Sequence, residues 1–68
     1  MNNIITTIDN KIAEITLNRP ERMNAITIDL LEELKNELIS LNNNKSISVI
    51  ILTGAGKAFT AGIDLRQI

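Results

Sequence analysis

The spacing of hydrophobic positions changes along the chain, and each spacing marks a different element. Residues 3–9, NIITTID, form a short run rich in β-branched side chains and predict a strand. Residues 11–17, KIAEITL, alternate, with Ala13, Ile15 and Leu17 on one side and Glu14 and Thr16 between them. Asp9 and Asn10 separate the two runs, and both side chains tolerate left-handed backbone, so an antiparallel hairpin is expected. Asn18-Arg19-Pro20 ends the second strand, because proline has no N–H for a central ladder. The segment ERMNA that follows has no period of its own.

A helix is expected from Thr27, which can cap it, with Asp29, Glu32 and Glu33 near the positive end of its dipole. Leu31, Leu34, Leu38 and Leu41 form the expected apolar stripe, and Glu32, Glu33 and Glu37 the solvated face. Asn42-Asn43-Asn44 is the expected stop, since asparagine accepts the left-handed conformation of a helix C-terminus. Residues 47–53, ISVIILT, are almost continuously apolar, the pattern of a strand buried on both faces in a parallel sheet. The order strand, strand, helix, strand predicts an α/β chain containing one βαβ unit. One helix covers one face of such a sheet, so the other is expected to stay open.

Composition narrows the chemistry. The chain has 68 residues, one domain at most, and at that length folding buries only about 60% of the surface. With no histidine and no cysteine, the usual zinc and haem ligands and the Ser–His and Cys–His pairs are missing, and no metal is expected. Seven basic residues against eight acidic ones, with a single aromatic, argue against a nucleic-acid partner. No apolar run approaches the roughly 20 residues that span a bilayer, so no membrane partner is expected. Met1-Asn2-Asn3 lacks the pattern of a signal peptide, and a cytoplasmic protein is the default expectation.

The remaining candidate chemistry lies in GAGKAFTAGIDL, residues 54–65, which holds all three glycines. The mononucleotide pattern G-x-x-x-x-G-K-[ST] fails, because one residue separates Gly54 from Gly56 and Ala58 follows Lys57. The dinucleotide pattern G-x-G-x-x-G fails at Phe59. Glycines that merely bend the chain account for Gly54 and Gly56 but not for Ala61-Gly62-Ile63-Asp64. Small residues at 61 and 62 allow a ligand close to the backbone. Asp64 reads as a helix cap that leaves backbone N–H groups at residues 63–66 available, an arrangement suited to a carbonyl whose oxygen becomes an enolate.

Two stretches, NRPERMNAI at residues 18–26 and VIILTGAGKAFTAGIDL at residues 49–65, together resemble the N-terminal part of the enoyl-CoA hydratase/isomerase (crotonase) family. The resemblance covers nearly the whole chain and implies a ββαβ unit corresponding to the start of the crotonase (ClpP/crotonase-like) spiral fold. It implies an acyl-CoA thioester as partner, with coenzyme A as part of the substrate and no further cofactor. Ile63 would supply, through its backbone N–H, the first of two oxyanion-hole donors. Alanine is commoner at that place, so β-branched Ile63 implies a pocket narrowed beside the thioester. Arg22, Met23 and Ala25 would contact CoA, with Lys57 and Phe59 near the mouth of the same groove. Ala61, Gly62, Ile63, Asp64 and Leu65 would form the thioester loop, Asp64 holding it as a cap. Arg22 and Lys57 suit phosphates but read also as solvated surface charges.

The family's second oxyanion donor and its proton-transferring carboxylates lie in later segments. Residues 1–68 are therefore expected to be a single partial domain, an N-terminal fragment inactive by itself. The parent would hydrate or isomerise enoyl-CoA and, like complete family members, is expected to form a homo-oligomer. The alternative is a non-catalytic remnant that binds CoA or self-associates.

Overall fold

The computed structural model describes residues 2–64. Strands β1 (Ile4–Asp9) and β2 (Ile12–Leu17) pair antiparallel, from Ile4 opposite Leu17 to Asp9 opposite Ile12. The two-residue connection is Asn10-Lys11, one position later than the expected turn, because Asp9 is still paired. Asn10 has φ 57°, the left-handed conformation that asparagine accepts more readily than most residues. A short 3₁₀ turn, Pro20–Arg22, leads to helix α1 (Ile28–Asn42) and then to strand β3 (Val49–Gly54). β3 pairs parallel with β2, giving the order β1-β2-β3 with β2 at the centre. The expected α/β organisation is present.

The helix begins as its sequence demands. Thr27 lies outside the helix in extended backbone, and its hydroxyl accepts a hydrogen bond from the Leu30 N–H at 3.1 Å. The far end differs from expectation. Asn43 is right-handed at φ −85° and ψ −5°, so no left-handed cap forms. Its N–H instead reaches the Ile39 carbonyl, and the Asn44 side chain takes the Ser46 N–H at 2.9 Å to shape the exit turn.

The buried edge of α1 also departs from the expected stripe, at two of its four positions. Leu30 and Leu41 are buried and Leu34 partly so, whereas Leu31 and Leu38 of the expected stripe are exposed. Leucines this dense make two overlapping apolar stripes that share Leu34 and Leu41, so the helix is turned by less than the roughly 100° between successive residues. Polar groups on β1 and just before it bond to one side of the helix. Glu37 accepts a hydrogen bond from the Thr6 hydroxyl, and the Glu33 carboxylate accepts from the Asn3 side chain. Two carboxylates expected on the solvated face thus tie the helix to the sheet, while Glu32 remains exposed.

Beneath the helix lies a core of Ala13, Ile15 and Leu41, with Ile4, Leu34 and Ile47 packed against it. Because α1 lies over the hairpin, β3 is not the doubly buried strand its composition suggests. Val49, Ile50, Ile51 and Leu52 are between 37% and 49% exposed. β3 is an edge strand of this sheet, and neither of its faces is closed. Residues opposite one another in a ladder share a face, so Ile12, Val49 and Ile51 emerge together on the side away from the helix, joined by Ile5. All four are exposed.

Exposed apolar side chains on a sheet face that also carries Thr7, Asp9 and Glu14, beside an open strand edge, favour association. Light scattering coupled to size exclusion at micromolar concentration is expected to find a species heavier than the 7.5 kDa monomer, its mass falling on dilution. A clean monomer whose cooperative unfolding ignores concentration would overturn this.

Candidate functional site

The two sequence motifs lie far apart in the chain and side by side in space, joined by the Asn24 side chain, the Thr60 hydroxyl and main-chain bonds. Pro20 opens the 3₁₀ turn, where its fixed φ and missing N–H cost nothing. The Met23 N–H closes that turn on the Pro20 carbonyl at 3.1 Å. Met23 and Asn24 then adopt left-handed backbone in succession, at φ 53° and 57°. For an ordinary L-residue this conformation costs about 1–2 kcal/mol, so something must hold the pair.

Asn24 supplies the hold. Its side chain is fully buried and all three of its hydrogen bonds are long-range or loop-closing. Oδ1 accepts from the Arg19 N–H at 2.7 Å, while Nδ2 donates to the Ala55 carbonyl at 2.9 Å and the Ala58 carbonyl at 2.8 Å. One N–H on one side and two carbonyls on the other leave the amide a single satisfactory orientation. The Asn24 backbone takes part as well, its N–H donating to the Arg19 carbonyl and its carbonyl accepting from the Thr60 hydroxyl at 2.6 Å. The Arg19 guanidinium donates to the Ala25 carbonyl and closes the segment from the other side.

The glycine loop meets this anchor by folding back on itself. A Cβ on Gly54 would stand 2.4 Å from the Phe59 carbonyl oxygen, so only glycine permits the approach. Beyond it the loop runs parallel to residues 23–26. The Ala61 N–H donates to the Met23 carbonyl at 2.9 Å, the Ile26 N–H to the Gly62 carbonyl at 2.8 Å, and the Asp64 N–H to the Ile26 carbonyl at 2.8 Å. Ile26 and Ile63 thereby form an isolated parallel bridge.

This bridge decides where the Ile63 N–H points. In a planar trans peptide the carbonyl and the N–H face opposite ways. The Gly62 carbonyl faces Ile26, so the Ile63 N–H on the same peptide faces away from it, and no acceptor meets it among the described residues. Gly62 reaches this geometry at φ 94°, and a Cβ there would meet nothing within 4 Å. The backbone is bare at the place where the donor emerges. The Asp64 N–H, expected to be available beside it, is spent on Ile26.

The remaining candidates fall around that point. Arg22, Met23, Lys57, Phe59 and Ala61 are exposed, Ala25 and Gly62 are half-buried, and the Ile63 side chain is 65% exposed. Asp64 is buried. Leu65, and the capping of residues beyond Asp64, lie outside the described residues. The structure therefore brings the segments 22–26 and 58–64 together as two adjoining rows. A separate cleft of about 530 Å³ between β1 and α1 is lined by Glu33 and Glu37, both already engaged by β1. Among the described residues no three of His, Cys, Asp and Glu converge as a metal site would require, and no helix is long and apolar enough to cross a membrane.

Asn24 and Thr60 were not singled out by sequence reasoning. Neither belongs to a periodic pattern, and the tolerance of asparagine for left-handed backbone was the one local signal at position 24.

A ββαβ chain with a glycine-linked loop that presents an outward backbone N–H is a unit of defined class, and comparison with known proteins agrees. The family described as Enoyl-CoA hydratase/isomerase matches residues 7–68, and the chain belongs to that family. A probable enoyl-CoA hydratase of Mycobacterium bovis is 48% identical over 57 residues, which are 84% of this chain and 20% of that protein. A peroxisomal Delta(3,5)-Delta(2,4)-dienoyl-CoA isomerase of Arabidopsis thaliana is 43% identical over 60 residues, 88% of this chain and 22% of the relative. The crystal structure of an enoyl-CoA hydratase from Mycobacterium tuberculosis H37Rv is similar at a TM-score of 0.93 and 33% identity, over 98% of this chain and 30% of that one. The fold is the start of the crotonase fold, as the motifs imply. The chain spans between 20% and 30% of the length of these proteins.

The anchor makes a sharp prediction. Asn24→Asp keeps the shape and the bond from Arg19 but turns a carboxylate oxygen toward the Ala55 and Ala58 carbonyls. Two lost donors and a buried charge facing acceptors are expected to cost about 3 kcal/mol or more. In urea denaturation the midpoint should fall sharply or the cooperative transition disappear, and an unchanged midpoint would remove Asn24 from this role.

Proposed function

We propose that the two adjoining loops form the thioester end of an acyl-CoA site, in which the Ile63 N–H donates to the thioester carbonyl oxygen. The observation that carries this reading is the Gly62–Ile63 peptide, its carbonyl held by Ile26 and its N–H turned outward. As an enoyl-CoA gains or loses a proton beside its carbonyl, negative charge collects on that oxygen. A donor already aimed there stabilises the charge without reorganising, and losing one such donor typically costs about 10²–10³ in rate. The donor is a backbone group, so the side chain at 63 remains free to shape the acyl pocket.

Arg22 and Lys57 are exposed and suit the phosphates of coenzyme A through charge-assisted hydrogen bonds. Met23 and Phe59 offer apolar surface to the same ligand. In this reading no metal or redox cofactor takes part, and coenzyme A enters as part of the substrate. Hydratase and isomerase relatives both match most of this chain, which supports a shared step, enolate stabilisation, over either outcome. The second oxyanion donor and the proton-transferring carboxylates are assigned to later segments of the family's proteins. A non-catalytic, self-associating module is the second reading, favoured by the exposed apolar sheet face.

Titration with an acyl-CoA separates the two. Amide shifts are expected to cluster at residues 22–25 and 57–63, and to weaken as salt screens the exposed phosphate contacts. Scattered shifts, or none at millimolar ligand, would count against the groove. Ile63→Pro removes the donor and none of the groups bonded to Ile26, and it should abolish the part of the response that depends on the acyl group. The 68-residue chain by itself is expected not to turn over crotonyl-CoA above a matched blank. Measurable turnover by mass-verified protein would contradict the assignment of the other catalytic groups to later segments.

A further inference from the structure

We propose that the Thr60 hydroxyl is a positioning group for the Ile63 N–H, linking that donor to the buried Asn24 anchor; the proposal rests on the thioester reading of the two loops. Gly62 separates two peptide planes. The plane before it carries the Gly62 N–H, which donates to Thr60 Oγ1 at 3.1 Å. The Thr60 hydroxyl donates in turn to the Asn24 carbonyl at 2.6 Å. The plane after it carries the Gly62 carbonyl, held by the Ile26 N–H at 2.8 Å, and on its opposite edge the Ile63 N–H.

The angle between those planes is set by rotation about Gly62, and glycine has the widest rotation of any residue. No steric contact restrains it, since the space where a Cβ would sit is open. Hydrogen bonds must do the restraining. Ile26 holds one plane and Thr60 the other, while the bond from the Ala61 N–H to Met23 fixes where the loop enters. The task at position 60 calls for a group that accepts from one N–H and donates to one carbonyl together. A hydroxyl does both. Valine, of nearly the same shape, does neither. The far end of the link is firm, because Asn24 is fully buried and bonded to Arg19, Ala55 and Ala58. A donor held in this way meets a developing oxyanion without first being ordered.

The test uses the 68-residue chain and its Thr60→Val, Thr60→Ala and Thr60→Ser variants. Amide hydrogen exchange is read at Gly62, with α1 amides as the control for folding. The Ile63 amide shift is read on adding butanoyl-CoA, as the excess over free CoA. Exchange at Gly62 should quicken about fivefold in the valine and alanine variants, the factor that a hydrogen bond of ordinary net strength represents. In both variants the acyl-dependent shift at Ile63 should shrink. Thr60→Ser should restore both readouts, which a role in packing alone would not predict. If valine disturbs α1, the alanine and serine pair, differing by one hydroxyl, decides the matter. A wild-type response kept in full by Thr60→Val and Thr60→Ala overturns this proposal alone. A wild-type Ile63 amide that ignores the acyl group overturns the thioester reading and this proposal together.

Discussion

The Asn24 carboxamide is the constraint on which the arrangement of the two loops depends. It reaches across more than thirty residues of sequence to the Ala55 and Ala58 carbonyls while its oxygen holds the Arg19 N–H. Burial removes water as an alternative partner, so each bond left unmade would cost about 1–3 kcal/mol. That penalty is large beside the roughly 5–15 kcal/mol by which whole domains are stable. It explains why two consecutive residues can stay in left-handed backbone, a conformation that Met23 would not choose unaided. Removing the anchor would leave the two loops held only by the Thr60 hydroxyl and the main-chain bonds of residues 23–26.

The chemistry offered by this unit is carried by main chain rather than by side chains. In the proposed reading, the side chain at position 63 can vary while the donor stays. A hydratase relative and an isomerase relative match this chain at 48% and 43% identity. What must be kept is the geometry around Gly62, where a positive φ and a bare backbone coincide. Ile63 adds an exposed branched side chain next to that point.

The sheet sets a second constraint. With α1 tied to β1 by Glu33 and Glu37, the helix closes one face over the hairpin and leaves β3 at an open edge. The apolar side chains of β3 have no layer above or below them in the described residues. Their composition suits a buried strand, and the burial has to come from a neighbouring surface.

Local physics made much of this legible in the sequence. Alternation placed β2, β-branched runs marked β1 and β3, and the threonine cap started α1, because each of these depends on residues close together in the chain. The paired motifs indicated the family and the fold for a related reason, since their spacing records a shared backbone path. What tertiary structure alone decided was every choice between locally equal options. The leucines of α1 offered two stripes, and the fold buried one, with Asn3 and Thr6 bonded to one side of the helix. The apolar run of β3 was silent about the presence of a covering layer. Asn24 looked like any polar residue in an aperiodic loop until two distant carbonyls and one nearby N–H surrounded it. Hydrogen bonds between remote segments have no period, and so the geometry that aims the Ile63 N–H exists only once the chain has folded.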